Sequence, residues 1–459
     1  MLLALFRNGA AQEHNMARLV LSDTAFVSVR MGVHGEQGGF KDLFQPESLL
    51  RGTLDAASRR TIDKVSVFGR FAYSYETAAN STWRGWIDPY ETPFMLADSI
   101  PGNLSLERYA MQAGIGLPLG GGWSAGVELS YDVALMAKHR DLRNKNTAMD
   151  FRVAPGIHWQ GRRMGAGLDL GYQRGTEKVE YAQESSNSEH LLFALYGLWL
   201  GQGYGFSSAE TSRLKENDRF FSDFQLSWQS GIFSLHNNLR ADWTRSFQGE
   251  TGYNNLQHGL VRTWTWQDDL HLQFGAAHQI DALLYGASMQ GFRPLQRLEL
   301  DPDSHIRVWV NVGDPVFCYY RRVGRQMLRY TYGTSWKLSL AVDHWRMDHS
   351  YTEYPQRFGQ SVAVVAPNAA LTLPLGAWRL SLRAGYRDCY AARCDSTPWQ
   401  LTDPLDQQRR YWEADAACGG LSVAWTHGRT TLAFDYDFDA AVAAGGVRHA
   451  AGLNLVFLF

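Results

Sequence analysis

Residues Trp378–Arg387 read W-R-L-S-L-R-A-G-Y-R, with Trp378, Leu380, Leu382, Ala384 and Tyr386 on one face and Arg379, Ser381, Arg383 and Arg387 on the other. A two-residue period of this kind is a strand, because successive side chains leave a pleated backbone on opposite sides. The period returns over Phe233–Phe247, where Phe233, Leu235, Leu239 and Trp243 oppose His236, Asn238, Arg240, Asp242 and Thr244. It returns again over Trp123–Leu135 and Met164–Tyr172. Such runs exceed the about five or six residues usual in a soluble sheet.

Tight turn signals join the runs in pairs: Gly120–Gly122, Gln160–Arg162, Ser230–Gly231, Gln267–Asp269, Gly333–Thr334, Gly376–Ala377 and His427–Arg429, with one more near Arg60. Longer polar links alternate with them at 78–103, 138–146, 177–189, 201–217, 287–304 and 388–410. Short turns on one rim and long loops on the other are the asymmetry of an outer-membrane barrel. The reading is therefore all-β: a transmembrane antiparallel β-barrel of about 16 strands, roughly 14–18. A soluble β-sandwich fits less well, because the strands are long and the aromatics gather at strand ends.

Two places disturb the pattern. His190–Leu200 is apolar on both faces and is expected to pack against a plug or a neighbouring chain. Near Asp343 the outward set Trp336, Leu338, Leu340 and Val342 gives way to Trp345 and Met347, which predicts a β-bulge.

Composition agrees with this class. The 459 residues hold 44 Gly, 16 Trp, 21 Tyr and 23 Phe, a mixture that favours strands and interfacial girdles over helices. With 44 basic and 46 acidic residues, no net charge draws the chain to nucleic acid. No apolar run is long enough for a helical span. The mean hydropathy of -0.31 is compatible with a barrel, whose lumen-facing half is polar. Residues 1–11, within M-L-L-A-L-F-R-N-G-A-A-Q, read as a signal-peptide remnant, leaving 12–459 as one outer-membrane barrel domain. Four cysteines are too few for a disulfide scaffold, but Cys389 and Cys394 are close enough in sequence to close a small loop in an oxidising compartment.

The last residues, H-A-A-G-L-N-L-V-F-L-F, place Ala451, Leu453, Leu455, Phe457 and Phe459 on one face. An apolar stripe running into Phe457 and Phe459 is an assembly signal for the machinery that inserts barrels into the bacterial outer membrane, so that machinery and outer-membrane lipid are the expected partners. Residues 87–103, I-D-P-Y-E-T-P-F-M-L-A-D-S-I-P-G-N, and 137–151, A-K-H-R-D-L-R-N-K-N-T-A-M-D-F, resemble motifs of a Bacteroidota-type outer-membrane β-barrel family of unknown function. The resemblance covers most of the chain and implies an outer-membrane address and a single barrel, with no established activity.

Chemistry is sparse. No G-x-S-x-G, H-E-x-x-H or Walker loop is present, and Gly201–Gly205 lacks a phosphate-cradling lysine, so no cofactor, metal or catalytic motif is assigned. His344, Arg346, Asp348 and His349 form the best ionic group, readable as a rim acid–base pair or as wall packing. Arg379, Arg383 and Arg387 form a basic ladder that would face the lumen and favour anions, or pair with carboxylates such as Glu128, Asp132 and Asp242. Lys138, Arg140, Arg143 and Lys145 make a basic loop suited to acidic head groups or to stapling the loop onto the rim. Trp83, Trp86, Tyr90 and Phe94 make an aromatic loop: a constriction, a surface-binding loop, a partner contact or plain packing. The leading expectation is a porin-like channel or transport component for small solutes, or the membrane part of an uptake system. The alternatives are a barrel that anchors or helps export surface proteins beside a surface lipoprotein or receptor, and an outer-membrane hydrolase built around His344.

Overall fold

In a computed structural model of the chain, the described residues are 15–21, 24–184, 190–205, 211–250, 256–300, 302, 307–353, 357–443 and 445–459. The N-terminal signal-peptide reading at 1–11 lies outside them. A short 3-10 turn, Met16–Leu21, precedes β1 (Phe26–Gly38), β2 (Ser48–Ile62) and β3 (Val65–Ser81). The loop strand β4 (Met95–Asp98) leads to β5 (Gly102–Gly120), β6 (Trp123–Lys138), β7 (Arg143–Gln160) and β8 (Met164–Ala182). Two more loop strands, β9 (Leu191–Gly197) and β10 (Leu200–Gly205), come before β11 (Thr211–Ser230), β12 (Phe233–Gly249), β13 (Gln257–Phe274) and β14 (His278–Arg293). A hairpin of β15 (Gln296–Leu300) and β16 (Arg307–Asn311) precedes β17 (Val316–Tyr332), β18 (Lys337–Tyr351), β19 (Phe358–Leu375) and β20 (Trp378–Asp395). Helix α1 (Thr402–Trp412) leads to β21 (Ala416–His427), β22 (Thr430–Ala441) and β23 (Val447–Leu458).

Eighteen of these strands pair antiparallel in one sheet, each with its neighbour along the chain. The sheet closes where β23 pairs with β1, from Ser28 opposite Leu458 to Gly38 opposite Arg448. Eight short turns lie on one rim, and the two chain ends supply the remaining pair of strands. Gly376 (φ 68°) and Gly428 (φ 57°) take left-handed backbone there, a conformation that costs a side-chain-bearing residue energy.

The outer face is apolar over the span. Met31, Phe71, Ile115, Leu129, Leu168, Phe224, Leu328, Leu340, Leu382 and Leu453 are all exposed, where water would penalise them and lipid does not. Trp123, Trp228, Phe274, Trp336, Trp378 and Phe459 ring the short-turn end. A closed sheet that satisfies its own backbone and wears this belt is a transmembrane barrel of the bacterial outer membrane.

Three local expectations change. Gln267–Asp269 is no turn: it lies inside β13, and the chain reverses at Gly275. The long links are shorter than expected, because polar strand ends continue past the membrane, as β8 and β20 do. No bulge interrupts β18, whose pairings with β17 and β19 run without a shift. Its Trp345 and Met347 point inward by ordinary alternation, because apolar loop residues fill the lumen at that height. The register shift falls on β20, between the partners of Ala363 and Val364.

Candidate functional site: a loop-built plug in the lumen

The apolar segment at 190–200 is a hairpin folded inward. β4 pairs with β9 and β9 with β10, giving a three-stranded sheet apart from the wall. A strand inside a filled lumen meets protein on both sides, which is why neither face is polar. Around this sheet pack Leu43, Phe44, Trp83, Trp86, Leu192, Trp199 and Leu405, a small core built of loops. Two bulky residues, Leu198 (φ 49°) and Trp199 (φ 62°), hold the tight turn of the hairpin. Each left-handed residue costs about 1–2 kcal/mol, so the surroundings must hold the turn in place. They do: Trp199 Nε1 donates to Gln408 Oε1 on α1 (2.8 Å), and Gln400 Nε2 donates to Leu198 O (2.6 Å).

The aromatic loop crosses the lumen and touches the wall on several sides. Trp86 is 1% exposed and donates to Phe94 O at 3.0 Å. Phe94 packs beside Val261, Met289, Tyr319 and Tyr351 on β13, β14, β17 and β18. Ile87 N donates to Glu177 Oε1 on β8 (2.7 Å), and Asn146 Nδ2 on β7 donates to Gly85 O (2.8 Å). From β12 Gln248 Nε2 donates to Thr92 Oγ1 (2.5 Å), and from β17 Arg321 Nη2 donates to Tyr90 O (2.7 Å). Lys215 of β11 is the central tie, its Nζ 2.6 Å from Glu91 on the loop and 2.8 Å from Glu177 on the wall.

Burial sets the electrostatics of the loop tip. Asp42, which accepts a short hydrogen bond from the Tyr90 hydroxyl, is pushed up by burial, and Tyr90 is pushed up by burial and by the neighbouring carboxylate. Burial, with Glu91 alongside, likewise raises Asp88. Burial alone would raise Glu91 as well, but Lys215 outweighs it and holds the carboxyl low.

Toward the middle of the barrel the inward face is charged. Arg70 meets Asp55 at 2.6 Å, Arg219 and Arg240 meet Asp242 at 2.9 and 3.2 Å, and Arg325 meets Asp343 at 2.5 Å. Along β6–β12 the inward acids Glu128, Asp132, Asp150, Asp169, Asp223 and Asp242 outnumber Arg152, Arg219 and Arg240.

At the short-turn rim the Met16–Leu21 turn lies against the inner wall. Asn15 Nδ2 donates to Ile157 O (3.1 Å), Ser124 Oγ donates to Ala17 O (2.8 Å), and Arg59 donates to Leu19 O. Glycines make the room: a Cβ on Gly114 would sit 2.3 Å from Met16 Sδ, and one on Gly126 would sit 2.4 Å from Ala17 N. Sequence reading missed this contact. Its signal was a set of inward glycines on adjoining strands, at Gly114, Gly116, Gly126, Gly156 and Gly167.

The other sequence-derived residues fall as follows. Trp83, Trp86 and Phe94 are buried and Tyr90 is half-buried, so they pack the plug and are not a surface-binding loop. In the basic ladder, Arg383 pairs with Asp437, Arg387 donates to Trp412 O (2.7 Å) and braces α1, and Arg379 is exposed near the turn. Lys138 pairs with Asp98 and donates to Ile100 O (2.7 Å), and Arg143 reaches Glu184 (2.5 Å) and Asp141 (3.2 Å). Arg140 Nη1 donates to Pro101 O (3.3 Å), while Lys145 is exposed. His344 faces outward and hydrogen-bonds the Tyr390 hydroxyl (2.8 Å), Arg346 pairs with Asp348 (2.8 Å) on the same face, and only His349 turns inward. Cys389 and Cys394 are free thiols. They sit five positions apart on the extended β20, a separation of roughly 15 Å that no disulfide spans. Phe457 lies opposite Val29, and Phe459 N donates to Val27 O (2.8 Å), so the last residues help close the barrel.

No curated protein matches the chain. Among solved structures it is similar to the FrpB iron transporter from Neisseria meningitidis (F3-3 variant), with 9% identity and a TM-score of 0.48 over 96% of this chain and 82% of that one. It is also similar to BauA, the ferric preacinetobactin receptor from Acinetobacter baumannii, with 8% identity and a TM-score of 0.46 over 95% and 80%. The likeness is one of barrel shape. Residues 16–459 match the family of unknown function DUF6850, and the chain belongs to that family.

Proposed function

We propose that this barrel is a gated outer-membrane transport component for small polar solutes, acting alone as a channel or as the membrane part of an uptake system. The observation that carries the reading is a charged lumen lying beneath a plug of folded loops held to the wall by hydrogen bonds, ion pairs and apolar packing, with no covalent cross-link among the described residues. A passage for polar solutes needs such a lining, and a non-covalent plug can move. At mid-height of β6–β12 the inward Glu128, Asp132, Asp150, Asp169, Asp223 and Asp242 outnumber Arg152, Arg219 and Arg240, which favours cations over anions there; the expectation of an anion-selecting ladder is weakened by the pairing of Arg383 with Asp437. The two loop motifs at 87–103 and 137–151 support a Bacteroidota-type origin.

In the second reading the barrel anchors or helps export a surface protein. The docking surfaces expected for it, 190–200 and the aromatic loop, are buried in the plug. The hairpin β15–β16, where Leu298 lies opposite Trp309 and both are exposed, takes their place as a contact for a surface lipoprotein or receptor. No catalytic role is proposed for His344, which is engaged with Tyr390 on the outer wall.

Planar-bilayer recording tests the leading reading. The native chain should show little steady conductance, and replacing 191–205 by a short Gly-Ser linker should produce steady, cation-preferring conductance. Equal silence from both, with both folded, would count against transport and shift weight to the anchoring reading.

A further inference from the structure

From β12 to β18 the lipid-facing belt carries polar groups: His344 of β18, the cross-strand partner of Gln326, is engaged with the Tyr390 hydroxyl, and a second set lies on β12, β13 and β17. On β13, Thr265 donates inward to Asp242, so Asp269 also points in, while Trp264, Trp266 and Asp268 point out. Asp268 lies about six residues in from the turn at Gly275, near the middle of a span of about ten residues. Around it the outward positions are Leu235, Leu239, Leu270 and Leu284. The Asp268 carboxylate has one donor there, Asn237 Nδ2 of β12 at 2.5 Å. Two strands away Gln326 of β17 points outward too, exposed and with no hydrogen-bond partner among the described residues. Asp268, Leu284 and Gln326 share one pairing row across β13, β14 and β17. Trp264, 62% exposed, stands above the row.

Hydrocarbon offers a carboxylate or an amide no hydrogen bond, so a polar group facing it at this depth is unfavourable unless a second protein surface covers it. This patch contains an acceptor-rich half and a donor-bearing half on either side of Leu284, which is the arrangement a two-fold contact requires. We infer that the β12–β17 wall is an interface within the membrane between two copies of this chain. The two-fold axis runs past Leu284 and sets the Asn237–Asp268 pair of one copy against Gln326 of the other. The patch complements itself in hydrogen bonding, a carboxylate acceptor on one half and an amide donor on the other, and that favours a second copy over a lipid or an unrelated protein. Oligomerisation of this kind is independent of whether the lumen conducts.

The test is thiol crosslinking in native outer membranes, in a background freed of the four native cysteines. Leu284→Cys should give a product of twice the chain mass. Met31→Cys, equally lipid-exposed but on the far wall at β1, should give none. Asp268→Leu in the Leu284→Cys chain should lower the product at least tenfold, while the heat-dependent gel mobility of a folded barrel is unchanged. Should Asp268→Leu prevent insertion, Gln326→Leu supplies the same comparison. No product at 284, equal product at 284 and 31, a product of a different mass, or a product indifferent to both substitutions would each overturn the inference.

Discussion

Lys215 is 3% exposed and stands between Glu91 and Glu177, so its ammonium neutralises two carboxylates that tie the loop to the wall. Removing one member of a buried ion pair costs about 3–5 kcal/mol, and the lower end applies here because the Glu91 side chain is 48% exposed. Lys215→Met should therefore free the 82–101 loop, raising amide hydrogen exchange over 86–96 by roughly a hundredfold, with the wall strands unchanged. Asp88 gives a pH signature. Its pKa is raised above 3.8 in the closed state by burial and by Glu91, so closure binds this proton more tightly than the released loop does. The stability it contributes is present in acid and is lost as pH rises from about 3.8 toward the raised value. Glu91, held below 4.5 by Lys215 against its partial desolvation in the lumen, contributes in the opposite sense, above its unfolded value. Asp88→Asn should reduce the weakening of closure with rising pH, leaving the part owed to the buried Asp42 and Asp98, and should leave the weakening in acid unchanged, as read from loop exchange against pH. At this scale the sequence named Trp83, Trp86, Tyr90 and Phe94 but not their place, since an aromatic loop packs a lumen as readily as it binds a surface.

Among the elements, the plug hairpin and the N-terminal turn were the hardest to read. β9 and β10 lack alternation because both faces meet protein, and a left-handed Leu198–Trp199 turn carries none of the Asn-Gly chemistry that marks a hairpin. The false turn at Gln267–Asp269 arose because Gln-Asp-Asp is turn chemistry in most settings, and an acid on a lipid-facing strand is rare enough to be misread. β18 looked bulged for the reverse reason: its inward residues turn apolar where the plug begins. The Met16–Leu21 turn makes the clearest element-scale prediction. Gly126→Val places a Cβ 2.4 Å from Ala17 N and 2.5 Å from the Met16 carbonyl carbon. The turn should leave the wall and protease cleavage within 15–21 should rise severalfold, while the barrel keeps its folded gel mobility.

For the whole molecule, two-residue periodicity and turn spacing made the closed barrel and its polarity legible, because both follow from lipid outside and polar groups inside. Eighteen strands stand at the upper end of the expected range, the two chain ends supplying the pair that the turns do not count. What filled the barrel was not legible: its loops meet wall positions and one another across long stretches of sequence, as Tyr90 meets Arg321 and Trp199 meets Gln408. The account rests on the plug leaving the wall when solute passes. Cysteines at Thr92 and Gln248, where the loop tip touches β12, can be joined by a short reducible bifunctional thiol reagent in a chain freed of its native cysteines. Solute uptake into liposomes carrying that variant should stop when the two are joined and return when the link is cleaved; uptake that continues unchanged with the loop fastened would contradict a moving plug.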